Sequence, residues 1–210
     1  MDKHTSNPDE RVLKLIDAAL DLQQVGEESH ALEVLLRAQE QAPEYAPIHL
    51  LIGLAHRDAG RPEEAEASLR RAIELEPEQP EALQSLGLVL ASQGRSSEAV
   101  KLLKRHAELQ PDDAITLKAL GAALARLGRE EEAIHLLEDA WRKSRTTAVG
   151  ITYGRYLIRV QQLEPAEQVL RQVAEAAPEP KPLVEWAYAL VLLEQHEEAL
   201  SVLQRILQMD

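Results

Sequence analysis

The sequence predicts an all-α solenoid built from about six helix–turn–helix repeats. One observation behind this prediction is composition: the 210-residue chain contains no Phe and only 3% aromatic residues, so Leu, Ala, Ile and Val must fill a core of closely packed helices. The other is a period of about 34 residues. Three residue types keep this period in phase: Gly26, Gly60, Gly94 and Gly128; Ala31, Ala65, Ala99 and Ala133; and Pro43, Pro77 and Pro111.

Each period divides into two amphipathic helical segments. Between Ala46 and Ala59, apolar residues recur every three or four positions, and a second stripe of the same spacing follows Pro62. Gly60 suits a left-handed cap at the end of the first helix, and Pro62 suits the first turn of the second. Pro77 ends the second helix, so each period is predicted to run helix, tight turn, helix, turn.

Charge and composition exclude several classes of function. The formal net charge of −13 argues against generic binding to nucleic acids or to anionic membranes, both of which need a basic face. The absence of Cys excludes disulfides, thiolate catalysis and zinc–thiolate sites. No apolar run approaches the roughly 18 residues of a membrane span, and the segment 1–8 lacks the apolar core of a signal peptide. We therefore expect a cytoplasmic protein without membrane insertion.

The sequence contains no motif typical of catalysis or of cofactor binding. None of the seven His residues has a second one four positions away, and the pair His49 and His56 has no obvious third metal ligand. The glycines form no phosphate-binding loop, and no Ser lies in a nucleophile elbow. Glutamates such as Glu63 and Glu64 follow the turns, where they offset a helix dipole. We predict no enzyme, no cofactor, no metal and no catalytic residue.

The repeats resemble the tetratricopeptide repeat. The residues that carry the resemblance in the third and fourth repeats are Leu83, Leu86, Gly87, Leu90, Gly94, Ala99, Leu103 and Pro111, followed by Leu117, Leu120, Gly121, Leu124, Gly128, Ala133, Leu137 and Ala140. The resemblance implies a right-handed superhelical array over residues 12–210 behind a flexible tail, residues 1–11. The repeats are expected at about 12–45, 46–79, 80–113, 114–146, 147–179 and 180–210.

The array departs from the family pattern in its second half. The period shortens by one residue from Ala133 to Ala166 and again to Ala199, and the fourth repeat lacks its terminal proline. Because end repeats expose the face that a neighbour would cover, we expect the last helix to leave apolar residues partly uncovered. These residues are Leu200, Leu203, Ile206 and Leu207. Truncation, a dimer interface and simple tolerance are the three explanations.

The family resemblance also implies a binding groove lined by the first helix of each repeat. Its residues would be Leu20, Leu50, Leu54, Gln84 and Leu88 in the first three repeats, and Lys118, Arg126, Arg155, Arg159 and Tyr188 in the last three. The first set is largely apolar and the second is basic, which favours a partner that is acidic or bears a terminal carboxylate. The alternative is ordinary solvated Arg and Lys side chains with a few exposed leucines.

Three functional hypotheses follow from this organisation. The first is a scaffold that binds a partner protein or peptide, possibly acidic, in its concave groove, without nucleic acid. The second is a helper domain that recruits substrates to a larger enzyme or chaperone. The third is homo-oligomerisation through the exposed C-terminal helix.

Overall fold

The chain is all-α, as predicted, and consists of consecutive helix pairs. A computed structural model describes residues 8–209, which contain twelve α-helices and no strand. Their bounds are α1 Glu10–Gln24, α2 Glu28–Gln41, α3 Ala46–Asp58, α4 Pro62–Leu75, α5 Pro80–Ser92, α6 Ser96–Leu109, α7 Ala114–Arg126, α8 Glu130–Lys143, α9 Thr147–Arg159, α10 Leu163–Ala176, α11 Pro180–Leu192 and α12 His196–Ile206.

The turns between paired helices form as the sequence indicates. Gly60 has a φ of +69°, which confirms the left-handed cap, and the Arg61 amide donates to the carbonyl oxygen of His56 at 2.9 Å. Pro62 is the first residue of α4. The helices within a pair therefore reverse direction over a short turn and pack against each other.

Small residues allow the two helices of a pair to approach closely. A Cβ atom added at Gly87 of α5 would lie 2.7 Å from Cγ of Leu103, which is fully buried in α6. Gly53, Gly121 and Gly154 meet a leucine of the paired helix in the same way. Leucine packed against glycine is thus the recurring unit of the core, and it explains how a core without Phe reaches close packing.

The helices fall into two compact units, Met1–Leu109 and Gln110–Asp210. In unit 1, α1 and α2 build a core with α3 around the fully buried Leu35 and Ile48. In unit 2, α11 packs on α9 and α10. The single array over 12–210 remains a prediction.

The N-terminal tail that we predicted falls mostly on residues 1–7, outside the described part of the chain. Glu10 and Arg11, which we assigned to the tail, belong to α1 instead. The helix begins there because Asp9 caps it: its carboxylate accepts a hydrogen bond from the Arg11 amide. Among residues 8–209, no helix is long and apolar enough to cross a membrane.

Candidate partner-binding face

In unit 1 the predicted groove residues lie on the first helices of three pairs, α1, α3 and α5, but they differ in exposure. Leu20 of α1 is exposed, whereas Leu50 of α3 is only 9% exposed and serves mainly as a core residue. Leu54, Gln84 and Leu88 are half-buried. The half-buried leucines offer apolar surface while keeping a fixed position, which suits a side chain that receives a ligand.

Two cavities open beside these half-buried leucines. The first has a volume of about 260 Å³ and is lined by Gln23, Glu28, Leu51, Leu54, Ala55 and Asp58. The second has a volume of about 400 Å³ and is lined by Arg57, Gly60, Pro62, Leu88, Val89 and Ser92. Each cavity combines apolar carbon with one or two charged groups, so each could take an apolar side chain and a nearby polar group.

Arg57 lines the second cavity, and its guanidinium group is held by the side chains of Asp58 and Ser85. Its Nε donates to Asp58 Oδ1 at 2.8 Å, and its Nη1 donates to Ser85 Oγ at 3.2 Å. Asp58 lines the first cavity, whereas Arg57 lines the second. This guanidinium group is therefore fixed in position by Asp58 and Ser85, and its remaining N–H groups could donate to an oxygen of a ligand. The pattern of groove leucines gave no sign of this Arg–Asp–Ser arrangement.

In unit 2 the predicted basic residues lie on α7 and α9, and Arg155 and Arg159 bind groups of the protein itself. Arg155 binds Glu185 of α11 through two hydrogen bonds, one of them from Nε at 2.9 Å, and this raises the pKa of Arg155. The Glu185 side chain is only 10% exposed. Arg155 therefore neutralises a buried carboxylate, a role that sequence reasoning missed because nothing in the repeat pattern pairs these two positions.

Arg159 is likewise engaged inside unit 2. Its Nη2 donates to the carbonyl oxygen of Ala125 at 2.6 Å, and the guanidinium lies 5.0 Å from the ring centroid of Tyr156. A carboxylate oxygen of Glu130 lies 3.6 Å from the same nitrogen. The charge of Arg159 is thus partly satisfied on α8, although the side chain is still 44% exposed.

The three remaining predicted residues of unit 2 differ in their exposure to solvent. Lys118 of α7 is half-buried, Arg126 lies exposed at the end of the same helix, and Tyr188 of α11 is 52% exposed. An exposed Tyr on a rigid helix is a common anchor in protein interfaces.

The histidines singled out in the sequence have structural surroundings. His49 is buried, its Nε2 donates to the Pro43 carbonyl oxygen at 2.8 Å, and its Nδ1 lies 3.3 Å from Gln39 Nε2. Burial, together with the positive charge of Arg61, lowers the pKa of His56. No group of three or more His, Asp or Glu side chains suited to a metal ion occurs among the described residues.

Comparisons with solved structures show helical repeat proteins of the same fold. A structure of Pseudomonas aeruginosa pilF is 22% identical, covers 96% of this chain and 94% of its own, and superposes with a TM-score of 0.78. A tetratricopeptide repeat protein from Parabacteroides merdae is 14% identical, with coverages of 94% and 79% and a TM-score of 0.79. YrrB, described as having an unusual peptide-binding site, is 20% identical, with coverages of 84% and 92% and a TM-score of 0.69.

A comparison with curated proteins finds no match. The sequence profile of the tetratricopeptide repeat, however, matches residues 13–80, 50–114 and 86–148, which together span more than half of the chain. Members of this family generally mediate protein–protein interactions. The sequence pattern, the helix pairs and this match agree, and the chain belongs to the tetratricopeptide repeat family.

Proposed function

We propose that the chain is a non-enzymatic scaffold that binds a segment of a partner protein along the first helices of its repeats. The observation that carries this proposal is the pair of cavities in unit 1, each beside a half-buried leucine of the predicted groove, Leu54 or Leu88. Arg57 supplies a charged group at the second of these cavities. The peptide-binding site described for YrrB supports a similar use of this fold.

The chemistry of the cavities defines the ligand. Their apolar walls favour peptide segments with large apolar side chains, and Arg57 favours an acidic residue or a backbone carbonyl beside one of them. Within unit 2, Lys118 of α7 offers a cation of its own. Because Arg155 and Arg159 are engaged within the protein and Arg57 is paired with Asp58, the acidic preference of the partner rests mainly on Lys118.

The first test uses a random-peptide display library selected against the full chain. Selected peptides are then titrated against a Leu88→Glu variant, whose new charge would occupy the larger cavity. We expect at least a tenfold loss of affinity, about 1.4 kcal/mol, because an apolar peptide side chain would meet a carboxylate. A matched Leu36→Glu variant, at an exposed leucine of the second helix α2, should bind as the unchanged chain does.

The acidic preference is tested separately with Lys118→Glu. Affinity for an acidic selected peptide should fall, and its dependence on salt should weaken because one attractive charge is lost. Lys101→Glu in the second helix α6 makes the same charge change away from the first helices. Circular dichroism verifies that each variant is folded.

For the cavity test, equal affinities in Leu88→Glu and Leu36→Glu would contradict binding at the cavities.

A further inference from the structure

The last helix pair presents an apolar surface, which we call the C-terminal face. It consists of six side chains that are between 39% and 84% exposed: Val184, Tyr188 and Val191 of α11, Leu200 and Leu203 of α12, and Leu207, the residue that follows α12. Six large exposed apolar or aromatic side chains on one helix pair are typical of an interaction site. The face lies wholly within unit 2.

The preceding helix pair, α9 and α10, carries an equivalent face, and its surroundings show what such a face binds. The residues one repeat earlier than Val184, Val191, Leu203 and Leu207 are at most 9% exposed; they are Ile151, Ile158, Leu170 and Ala174. They belong to α9 and α10, and α11 packs on these two helices. The C-terminal face therefore has the form of a surface that accepts a helix.

The C-terminal face differs from this internal counterpart in its polar groups. Arg155 of α9 binds Glu185, and Glu167 of α10 accepts a hydrogen bond from Trp186 Nε1 at 2.9 Å, so both anchor α11 by polar contacts. One repeat later, the equivalent positions hold Tyr188 and Leu200. Both polar anchors are thus replaced by large apolar or aromatic side chains, and the occupant of this face needs no charged group in return.

The outer side of the first helix pair differs from the C-terminal face in its side chains. Ile48 and Ile52 of α3 are buried against α1 and α2. One repeat earlier, the equivalent positions hold Lys14, whose side chain is 73% exposed and pairs with Glu10, and the small Ala18. The side of α1 that corresponds to the buried side of α3 therefore carries a charged residue and a small one, which is a poor match for the C-terminal face of another copy in a head-to-tail array.

We propose that the C-terminal face binds the same face of a second copy, forming a closed, two-fold symmetric dimer. An uncharged apolar surface is complementary to itself, and a two-fold axis lets each copy bury the other's α11 and α12. The charged Lys14 and the small Ala18 of α1 disfavour the head-to-tail arrangement that would give open fibres. Because both copies carry a charge of −13, added salt should strengthen the dimer by screening their repulsion.

The test measures the mass of the full chain in solution by sedimentation equilibrium over a range of concentrations. We expect a monomer–dimer equilibrium that shifts toward dimer when the salt is raised from about 0.05 to about 0.5 M. The double variant Leu200→Lys and Leu207→Lys should raise the dissociation constant at least about 100-fold, because four unpaired charges would be buried in the symmetric interface. These two leucines are among the most exposed residues of the face, so the fold should survive.

The matched control is Val25→Lys with Ile115→Lys, two changes at equally exposed apolar residues outside the face, and it should dimerise as the unchanged chain does. The arrangement is tested with cysteines, since the chain has none of its own. A dimer through the C-terminal face should form disulfides between single cysteines at Leu200 or Gln204 of α12, or at Leu207 just after it. A strict monomer, a dimer that persists in the folded double-lysine variant, or cross-linking of Ala18→Cys to Leu200→Cys would overturn the proposal.

Discussion

At the residue scale, the turn inside each helix pair depends on one backbone conformation that two kinds of residue adopt. Gly26, Gly60, Gly94 and Gly128 have φ values from +69° to +81° in the first four pairs. In the last two pairs, Gln161 and Glu194 hold the same turn at φ +61°. A side chain in this left-handed region costs about 1–2 kcal/mol, so the second half of unit 2 contains local backbone strain that the glycine turns lack.

Replacing Gln161 by Gly should therefore stabilise the protein. The gain from relieving the left-handed strain exceeds the extra chain entropy of glycine, and the net effect should be about 0.5–1 kcal/mol in the free energy of unfolding. Urea denaturation measures it as a higher midpoint with an unchanged slope.

The control for this change is Gln162→Gly, one position later, where φ is −90°. Glycine there adds entropy to the unfolded chain and relieves no strain, so it should lower the free energy of unfolding. If Gln161→Gly destabilised the protein as much as Gln162→Gly does, the strain at this turn would be negligible.

The sequence predicted these turns unevenly, and the reason is physical. A glycine in a predicted turn indicates a left-handed backbone conformation, because only glycine adopts this conformation without cost. The conformation of Gly60 could therefore be assigned from the sequence. Gln161 carries no such signal, because its conformation is imposed by the two helices that it joins. Its neighbouring hydrogen bond, from the Gln162 amide to the Leu157 carbonyl oxygen at 2.9 Å, repeats the one at Arg61.

At the scale of elements, a cluster of charged side chains connects α4 to α6 within unit 1. Glu66 of α4 accepts hydrogen bonds from Arg95 Nη1 at 2.6 and 2.7 Å and from Arg70 Nη2 at 2.7 Å. Arg95 and Arg70 also bind Glu98 of α6. The Glu66 side chain is only 16% exposed, so this carboxylate is the best shielded of the four groups.

The cluster makes a prediction about pH. Hydrogen bonding to Arg95 holds the pKa of Glu66 below its usual value of 4.5. A lowered pKa in the folded state means that Glu66 stabilises the protein fully above pH 4.5 and loses this effect as the pH falls through its folded-state pKa. Glu66→Gln should therefore be less stable than the unchanged chain at pH 7, and the difference should shrink steadily below pH 4.5.

Thermal unfolding of both proteins across this pH range measures the effect. Glu33→Gln, at an exposed glutamate of α2, is the matched control, and its stability should follow that of the unchanged chain throughout. A stability difference for Glu66→Gln that stayed constant down to the acid transition would show that shape, and not charge, accounts for its role.

The sequence did not predict which side chains of different helices contact one another in the candidate site. The period correctly put Leu54, Leu88 and Arg155 on first helices, because phase along a repeat determines which face a residue occupies. It gave no information on which side chains of neighbouring helices meet. The Arg155–Glu185 pair and the contacts of Arg57 depend on the offset between helix pairs, which is a property of three-dimensional packing.

At the scale of the whole molecule, each of the two units is built from contacts between its own neighbouring helices. The fully buried Leu35 of α2 packs with residues of α1 and α3, and the fully buried Leu170 packs at Gly154 within unit 2. In such arrays stability is approximately a sum of repeat terms and nearest-neighbour terms. Damage to one repeat should therefore stay local, which distinguishes this fold from a globular domain with a single core.

Leu35→Ala tests this locality. Truncating a fully buried leucine should cost about 2–5 kcal/mol, and most of that loss should appear as opening of α1, α2 and α3. Hydrogen exchange followed by mass spectrometry should show faster exchange in peptides from these helices, while peptides from α9 to α12 keep their protection. Leu36→Ala, at an exposed neighbour on the same helix, should leave exchange unchanged throughout. Equal acceleration in all helices would mean that the array unfolds as one cooperative body, in which case stability could not be assigned repeat by repeat.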